Sequence, residues 1–366
     1  MPLGQPATDI LLMALYNRTN GRALKAQMRV ASGKRTTISF YRYHRIDDPP
    51  TFRDQLYADL TAMGVLGRIY VALEGINAQI SVPADSVDAF RSQLYSIPFL
   101  NGVRLNLAVE DDGRSFFKLK ILVRKKIVAD GLDDASFNPA DTGVHVNAQQ
   151  FNALADDPNT VIVDMRNHYE SEVGYFKNAI CPDVDTFREE LRIVEALMDD
   201  QREKNLLMYC TGGIRCEKAS AWMKFKGFSN VFQLDGGIIE YARQVKQSGI
   251  ENKFIGKNFV FDERLGERIS DDIVAVCHQC GKACDDHTNC RNDGCHLLFI
   301  QCADCASTYS GCCSTDCREI VALPEGAQKE LRKGINKGRQ VFRKGRSAHL
   351  RTNPDTDRLH DTSEHD

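Results

Sequence analysis

Apolar residues recur in two rhythms along the first third of the chain, and the exchange between those rhythms outlines a fold. Thr36 to Ile46 is rich in β-branched and aromatic residues, the composition of a strand. Pro50 to Met63 follows, with Phe52, Leu56, Leu60 and Met63 at helical spacing. Arg68 to Leu73 and Ala78 to Val82 read as two strands joined through the turn Glu74-Gly75-Ile76-Asn77. A second helix opens after Pro83 and runs from Ala84 to about Tyr95, with Val87 and Phe90 on one face. Strands near Val103 to Val109 and Phe116 to Val128 close the unit. The order β-α-β-β-α-β predicts a ferredoxin-like α+β sandwich over residues 31–130, two helices on an antiparallel sheet, behind an N-terminal extension over residues 1–30.

Residues 131–144 are polar and read as a linker. Beyond them the pattern changes to repeated strand, loop and helix. Val146 to Leu154 predicts a helix, Thr160 to Met165 a buried strand that includes Asp164, and Asp185 to Met198 a further helix. The apolar strand Asn205 to Tyr209 runs directly into Cys210. A helix from Cys216 to Phe225, a strand at Val231 to Leu234, and Asp235-Gly236-Gly237 ahead of a helix from Ile238 to Val245 complete the region. This repetition predicts an α/β domain over residues 145–250, a parallel sheet with helices on both faces. Ligands of such sheets bind beyond the carboxyl ends of the strands, where Cys210 stands.

With 366 residues, 42% hydrophobic and 27% charged, the composition is that of a globular protein of several domains. The apolar stretch Ile10 to Tyr16 is far shorter than the ~20 residues that span a bilayer. It has neither a basic n-region nor a cleavage site, so the expectation is a cytoplasmic protein with no membrane partner. A net charge of -3 conceals a basic tail over residues 321–366, in which Lys329 to Arg346 carries eight cations against Glu330 alone. Lys329, Arg332, Lys333, Lys337, Arg339, Arg343 and Lys344 are candidates to meet RNA phosphates. The alternative is a solvated, flexible terminus. No oligomeric state follows from the sequence.

Cys210 carries the candidate chemistry. A strand that delivers a cysteine to a Gly-rich turn opening a helix places the sulfur among backbone N–H groups at the positive end of the helix dipole. Thr211, Gly212, Gly213 and Ile214 form that turn, and Arg215 adds a fixed cation, so the thiol should ionise near neutral pH. The alternative is a buried structural cysteine, which the coincidence of a Gly pair, an Arg and a helix start argues against. Only four residues separate Cys210 from Arg215. Cysteine phosphatases use a longer loop to wrap a phosphate, whereas this ring suits a sulfur atom carried on cysteine. Cys216 either resolves an oxidised or persulfidated Cys210 or fills space beneath the loop. Asp164, at the end of its own strand, is a possible auxiliary residue.

Ten of the thirteen cysteines fall between Cys277 and Cys317, spaced Cys277-x2-Cys280-x3-Cys284-x5-Cys290-x4-Cys295-x6-Cys302-x2-Cys305-x6-Cys312-Cys313-x3-Cys317. In a chain without an export signal this argues for metal thiolates rather than disulfides. Two C-x2-C knuckles with further thiols between and after them predict a small zinc-stabilised Cys-rich module over residues 251–320. Interleaving suggests Cys277, Cys280, Cys302 and Cys305 for one ion. Cys290, Cys295 and Cys317 would take the other, with Cys312 or Cys313 as the fourth ligand and Cys312 taken first. An iron–sulfur cluster is the competing reading.

Val161-Ile162-Val163-Asp164-Met165-Arg166, Gly174-Tyr175-Phe176-Lys177-Asn178-Ala179 and Cys210 to Arg215 resemble rhodanese-like domains, with Tyr175 where that family usually has His and Asn178 where it usually has Gly. The order of the three modules adds further motifs. These are Arg35-Thr36-Thr37-Ile38-Ser39-Phe40-Tyr41, Glu74-Gly75-Ile76-Asn77-Ala78-Gln79-Ile80, Tyr209 to Lys218 and Gly256-Lys257-Asn258-Phe259-Val260-Phe261-Asp262-Glu263-Arg264. Together they closely resemble the bacterial tRNA uridine hydroxylase family, from about Asn17 to about Phe342. The resemblance implies tRNA as partner and oxygen-dependent 5-hydroxylation of the wobble uridine, with molecular oxygen as co-substrate and Cys210 as the active-site cysteine. No flavin fingerprint, haem motif or facial triad is visible in the residues themselves. A sulfurtransferase carrying a Cys210 persulfide and a non-enzymatic, zinc-dependent RNA-binding adaptor are the other readings.

Overall fold

In the computed structural model, which describes residues 24, 25, 28, 33–132, 134, 136–334 and 350, the alternating residues of β1 (Arg35–Tyr43) turn Ile38 and Phe40 into an apolar core. Helix α1 (Pro49–Ala62) starts where Asp48 accepts the Thr51 N–H at 3.1 Å, with Pro49 in its first turn, and buries Leu56 and Leu60. Strands β2 (Leu66–Ala72) and β3 (Gly75–Pro83), helix α2 (Val87–Tyr95) and strands β4 (Asn106–Leu107) and β5 (Leu119–Val123) follow. Phe90 and Leu94 of α2 join the core that Ile69, Val71, Ile76, Ile80 and Ile121 line from the sheet.

The sheet order is β4-β1-β3-β2-β5. It departs from the sequence expectation in three ways. The two strands expected near Val103 to Val109 and Phe116 to Val128 are shorter than expected and lie one at each edge, and β5 runs parallel to β2 where a wholly antiparallel sheet was expected. The β2–β3 turn is Leu73-Glu74, because Gly75 already belongs to β3. Gly75 has a φ of +142°, and a Cβ there would lie 2.0 Å from the Arg42 carbonyl oxygen, so glycine serves close strand approach rather than the turn.

The chain divides between Ala129 and Asp130 into two units. In the second, β6 (Val144–Val146), β10 (Val231–Leu234), β9 (Asn205–Tyr209) and β7 (Thr160–Asp164) form a parallel sheet in that order. Val146, expected in a helix, instead pairs with Leu234 in an edge strand. Helix α3 (Ala148–Ala155) begins only after the Asn147–Gln150 capping box. Leu206 to Tyr209 are all buried, as a parallel strand covered on both faces requires.

The remaining elements are α4 (His168–Ser171), β8 (Gly174–Phe176), α5 (Phe187–Leu197), α6 (Ile214–Phe225), α7 (Gly237–Ser248), β11 (Phe254–Asn258), β12 (Glu267–Arg268), β13 (His287–Asn289) and β14 (Leu298–Ile300), with helices α8 (Ala303–Thr308), α9 (Thr315–Ala322) and α10 (Glu325–Arg332) at the end. Phe176 of β8 meets Tyr209, Tyr241 and Phe254 edge-on, with ring centroids 4.7, 4.7 and 5.2 Å apart. The cysteine-rich segment lies in the same unit as the parallel sheet. β8 pairs with β11, Tyr169 of α4 shares an apolar cluster with Phe259, Cys277 and Cys305, and His278 and Glu172 pair at 2.6 Å. Among the described residues no helix is long and apolar enough to cross a membrane.

Candidate active site

Strand β9 ends at Tyr209, and the next residue, Cys210, is fully buried beneath its own loop. Gly213, at φ +97°, turns its N–H back onto Cys210 Sγ at 3.2 Å. Helix α6 then begins at Ile214, two residues before the expected start, which places Arg215 and Cys216 in its first turn. A second helix start supports the loop from behind. Ile238 N–H donates to the Cys210 carbonyl at 3.0 Å and Ile239 N–H to that of Thr211 at 3.2 Å. This approach requires glycine at Gly237, where φ is +67° and a Cβ would lie 2.5 Å from the Cys210 oxygen. Thr211 Oγ1 donates to the Phe259 carbonyl at 3.4 Å, which joins the loop to the segment after β11.

Burial opposes ionisation of Cys210, but the S–H of Cys216, the charge of Arg215 and the backbone N–H groups of Cys216 and Arg215 outweigh it, and the thiol falls to about 6. Cys216 moves the other way, because burial and the neighbouring Cys210 thiolate keep it a neutral donor. The guanidinium of Arg215 is fixed by both oxygens of Glu170, at 2.7 and 2.8 Å. Glu170 is itself in the Asn167 capping box of α4. Asp164 stands elsewhere in the network: it pairs with Arg166 at 2.6 Å and accepts the Tyr209 hydroxyl at 2.8 Å, at the base of the sheet's carboxyl end.

Glu190 of α5, which packs against α6, is fully buried, and neither carboxylate oxygen has a hydrogen-bond partner among the described residues. Burial pushes its carboxyl well above the usual range despite the opposing Arg215, and the negative charges of Asp164, Glu170 and Cys210 add to the rise. Sequence reasoning missed both Glu170 and Glu190, since an acidic residue in an amphipathic helix ordinarily faces water.

Three family descriptions match the chain in order: UPF0176 acylphosphatase like domain over residues 35–127, Rhodanese-like domain over 147–244 and Rhodanase C-terminal over 255–318. Curated relatives match nearly end to end. The tRNA uridine(34) hydroxylase of Pectobacterium carotovorum is 59% identical over 91% of this chain and 94% of its own. That of Photorhabdus laumondii is 55% identical over 91% of this chain and 95% of its own. The chain belongs to the tRNA uridine(34) hydroxylase family. A solved rhodanese-like domain from Anabaena is 16% identical, covers 31% of this chain and 78% of that one, and has a TM-score of 0.25, too weak a likeness to add to the assignment.

Within the family's rhodanese segment, one departure from the usual pattern has a structural reason. Asn178, where Gly is usual, has a φ of +64°, a left-handed conformation that asparagine tolerates better than most residues. The family motif after β11 also finds its place. Phe259 packs on Tyr169 and His287, and Phe261, which is 36% exposed, lies 6.0 Å from the Arg215 guanidinium.

The cysteine-rich segment gathers two sulfur quartets, Cys277, Cys280, Cys302 and Cys305, and Cys290, Cys295, Cys313 and Cys317, with all sulfurs of each within 4.8 Å of one another. Cys313, not Cys312, completes the second. Adjacent side chains diverge at the start of the turn into α9, and Cys312 Sγ faces the Ser310 carbonyl at 3.9 Å. The S···S separations of 3.6, 3.7 and 3.8 Å for Cys280–Cys302, Cys295–Cys313 and Cys313–Cys317 far exceed a disulfide bond. They approach the ~3.8 Å edge of a tetrahedron with metal–sulfur bonds of ~2.3 Å. Backbone N–H groups of Cys302 and Cys313 donate to Cys277 and Cys290 sulfurs, each at 3.4 Å, the outer hydrogen bonding that thiolate ligands receive. Cys284 is buried in neither quartet.

Of the basic tail, Lys337, Arg339, Arg343 and Lys344 lie outside the described residues. The described part is helical, and each of its three candidates already has a carboxylate: Lys329 with Glu325 at 3.1 Å, Arg332 with Asp293 at 3.2 Å and Lys333 with Glu330 at 3.5 Å.

Proposed function

We propose that this protein hydroxylates C5 of uridine 34, the wobble base of tRNA, with Cys210 as nucleophile and molecular oxygen as co-substrate, working in the cytoplasm where tRNA is found. The observation that carries the reading is the convergence of the Gly213 N–H, the Cys216 thiol and the Arg215 charge on the Cys210 sulfur, in a chain 59% identical to a named tRNA uridine(34) hydroxylase. A thiolate that adds to C6 of uracil makes C5 the nucleophile. C5 then takes one oxygen atom, and loss of the C5 proton with expulsion of the thiolate restores the C5–C6 double bond. The second oxygen atom leaves as water, taking two protons and two electrons from a separate two-electron reductant of the dithiol class. Arg215 holds the sulfur anionic before attack and after expulsion. Phe261 at the loop offers a face on which a flipped-out pyrimidine can stack.

The sulfur quartets each suit one structural zinc ion, with no part in the reaction. An iron–sulfur cluster divides its four cysteines among two or four irons, which sets sulfurs on different irons farther apart than the 4.8 Å within which all four sulfurs of each quartet lie. Nucleoside mass spectrometry of tRNA from a strain lacking the protein tests the function. 5-Hydroxyuridine derivatives should disappear and return with the wild-type gene but not with Cys210→Ala. Loss of a thiolated nucleoside instead would favour a sulfurtransferase.

A further inference from the structure

The ferredoxin-like sheet carries its two helices on one face, and the opposite face is patterned by cross-strand register. One row across it is Ser39, Gln79, Arg68 and Lys120, and the next is Tyr41, Asn77, Tyr70 and Leu122. Neither row contains an acidic residue. Along the β2–β5 side, Arg68, Lys120 and Arg124 are exposed and Lys118 half-buried, and none of these four has a carboxylate partner among the described residues. The Arg124 guanidinium lies 5.8 Å from the Tyr70 ring, and Lys118 lies 5.6 Å from that of Phe117. Lysines on an edge strand often serve only to discourage edge-to-edge pairing. Arg68 does not fit that role, because β2 is an interior strand. The crowding is electrostatically costly: burial, then Lys118, Arg68 and Arg124, all depress the Lys120 ammonium, and no acid among the described residues offsets them. The opposite end of the same face is sealed by protein, where Asp111 accepts Thr37 Oγ1 at 3.1 Å and Thr37 meets Ser115 at 2.6 Å.

We propose that this open half of the sheet, centred on Arg68, Tyr70, Lys118, Lys120 and Arg124, is a docking surface for tRNA, whose phosphates it neutralises. The inference rests on the tRNA hydroxylase reading and deepens it. Charge complementarity selects a polyanion, and the aromatic residues among the cations suit RNA, which offers both phosphates and stackable bases. The contrast with α10 supports the choice, since the cations there are paired within the protein and those on the sheet are not.

The test is binding of wild-type protein and the double variant R68E/K120E to unmodified tRNA at several salt concentrations, with thermal melting to verify the fold. The neutral variant R68Q/K120Q provides a second measurement should charge reversal disturb the sheet. Each lost phosphate contact should flatten the slope of log K against log salt by roughly 0.7 to 0.9. Charge reversal should weaken binding at least ~10-fold, raise KM for tRNA, and leave kcat and the alkylation profile of Cys210 unchanged. Unchanged affinity and slope in a folded variant, with wild-type protein still hydroxylating tRNA, would overturn the proposal alone and leave the face to edge protection or an acidic protein. Wild-type protein that does not modify tRNA would overturn the reading beneath it, and the proposal with it.

Discussion

At the end of β9 one sulfur is surrounded by N–H and S–H donors and a guanidinium; in the cysteine-rich segment eight sulfurs are surrounded chiefly by one another. The chemical group is the same, and the neighbours set its use. Donors and a cation stabilise a lone thiolate that remains available for reaction. A quartet of thiolates would repel without a shared cation, so its members must be occupied together. The loop therefore tolerates no competing sulfur beyond Cys216, which stays protonated, whereas Lys282, the cation near Cys280 and Cys302, is held by Asp304 at 2.6 Å.

The most severe break in this contrast is removal of the lone sulfur. Cys210→Ser should lower 5-hydroxyuridine formation by ~10³-fold or more while metal content and tRNA affinity stay at wild-type levels. Single-turnover assays beside elemental analysis check both halves, and a fall in metal content would mean that the two cysteine systems are not independent. Next comes removal of one ligand. Cys313→Ser should reduce bound zinc from two ions per chain to one and lower the melting temperature, whereas Cys312→Ser should keep both ions. Loss of an ion in Cys312→Ser but not in Cys313→Ser would return the fourth ligand position to Cys312.

A subtler change leaves every sulfur in place. The paired substitution Glu170→Gln with Arg215→Gln removes both buried charges together, so that neither is left unpaired. The alkylation midpoint of Cys210 should then rise from about 6 toward the ordinary 9.0, by about one unit or more. Because the folded thiol ionises more readily than the unfolded one, its stabilising effect in wild type is complete above the unfolded value and is lost as pH falls toward about 6. The variant should therefore show a shallower loss of melting temperature across that window. The smallest effect is expected at Glu190. Since burial favours the neutral form of its carboxyl, Glu190→Gln should leave the Cys210 alkylation midpoint within a few tenths of a unit of wild type. A clear downward movement would reveal an ionised Glu190.

Much of this was legible in the sequence where periodicity and spacing are strong. Asn205 to Tyr209 forms the strand expected, because an uninterrupted apolar run ahead of Cys-x-Gly-Gly has few other structures open to it. Val146 was placed in a helix because a three-residue edge strand is too short to show alternation. Gly75 reads as a turn residue because sequence cannot distinguish a glycine needed for a tight bend from one needed for close strand approach. At the site, the Cys210 and Arg215 loop could be read from local chemistry alone. Glu170 and Glu190 could not, since their meaning comes from burial beside residues distant in sequence. The choice between Cys312 and Cys313 depends on which neighbouring side chain faces inward at a turn, a matter of one backbone dihedral.

The hydrogen bond between His278 and Glu172 bears on how this chain can be inherited. His278 lies between two ligands of the first quartet, and Glu172 lies two positions beyond the residue that clamps Arg215. A recombination event that exchanged the cysteine-rich segment for a foreign one would leave α4 without the partner that fits it, although every catalytic side chain would still be encoded. The two segments are separate words in the sequence, and a replacement of either has to supply the matching half of this pair.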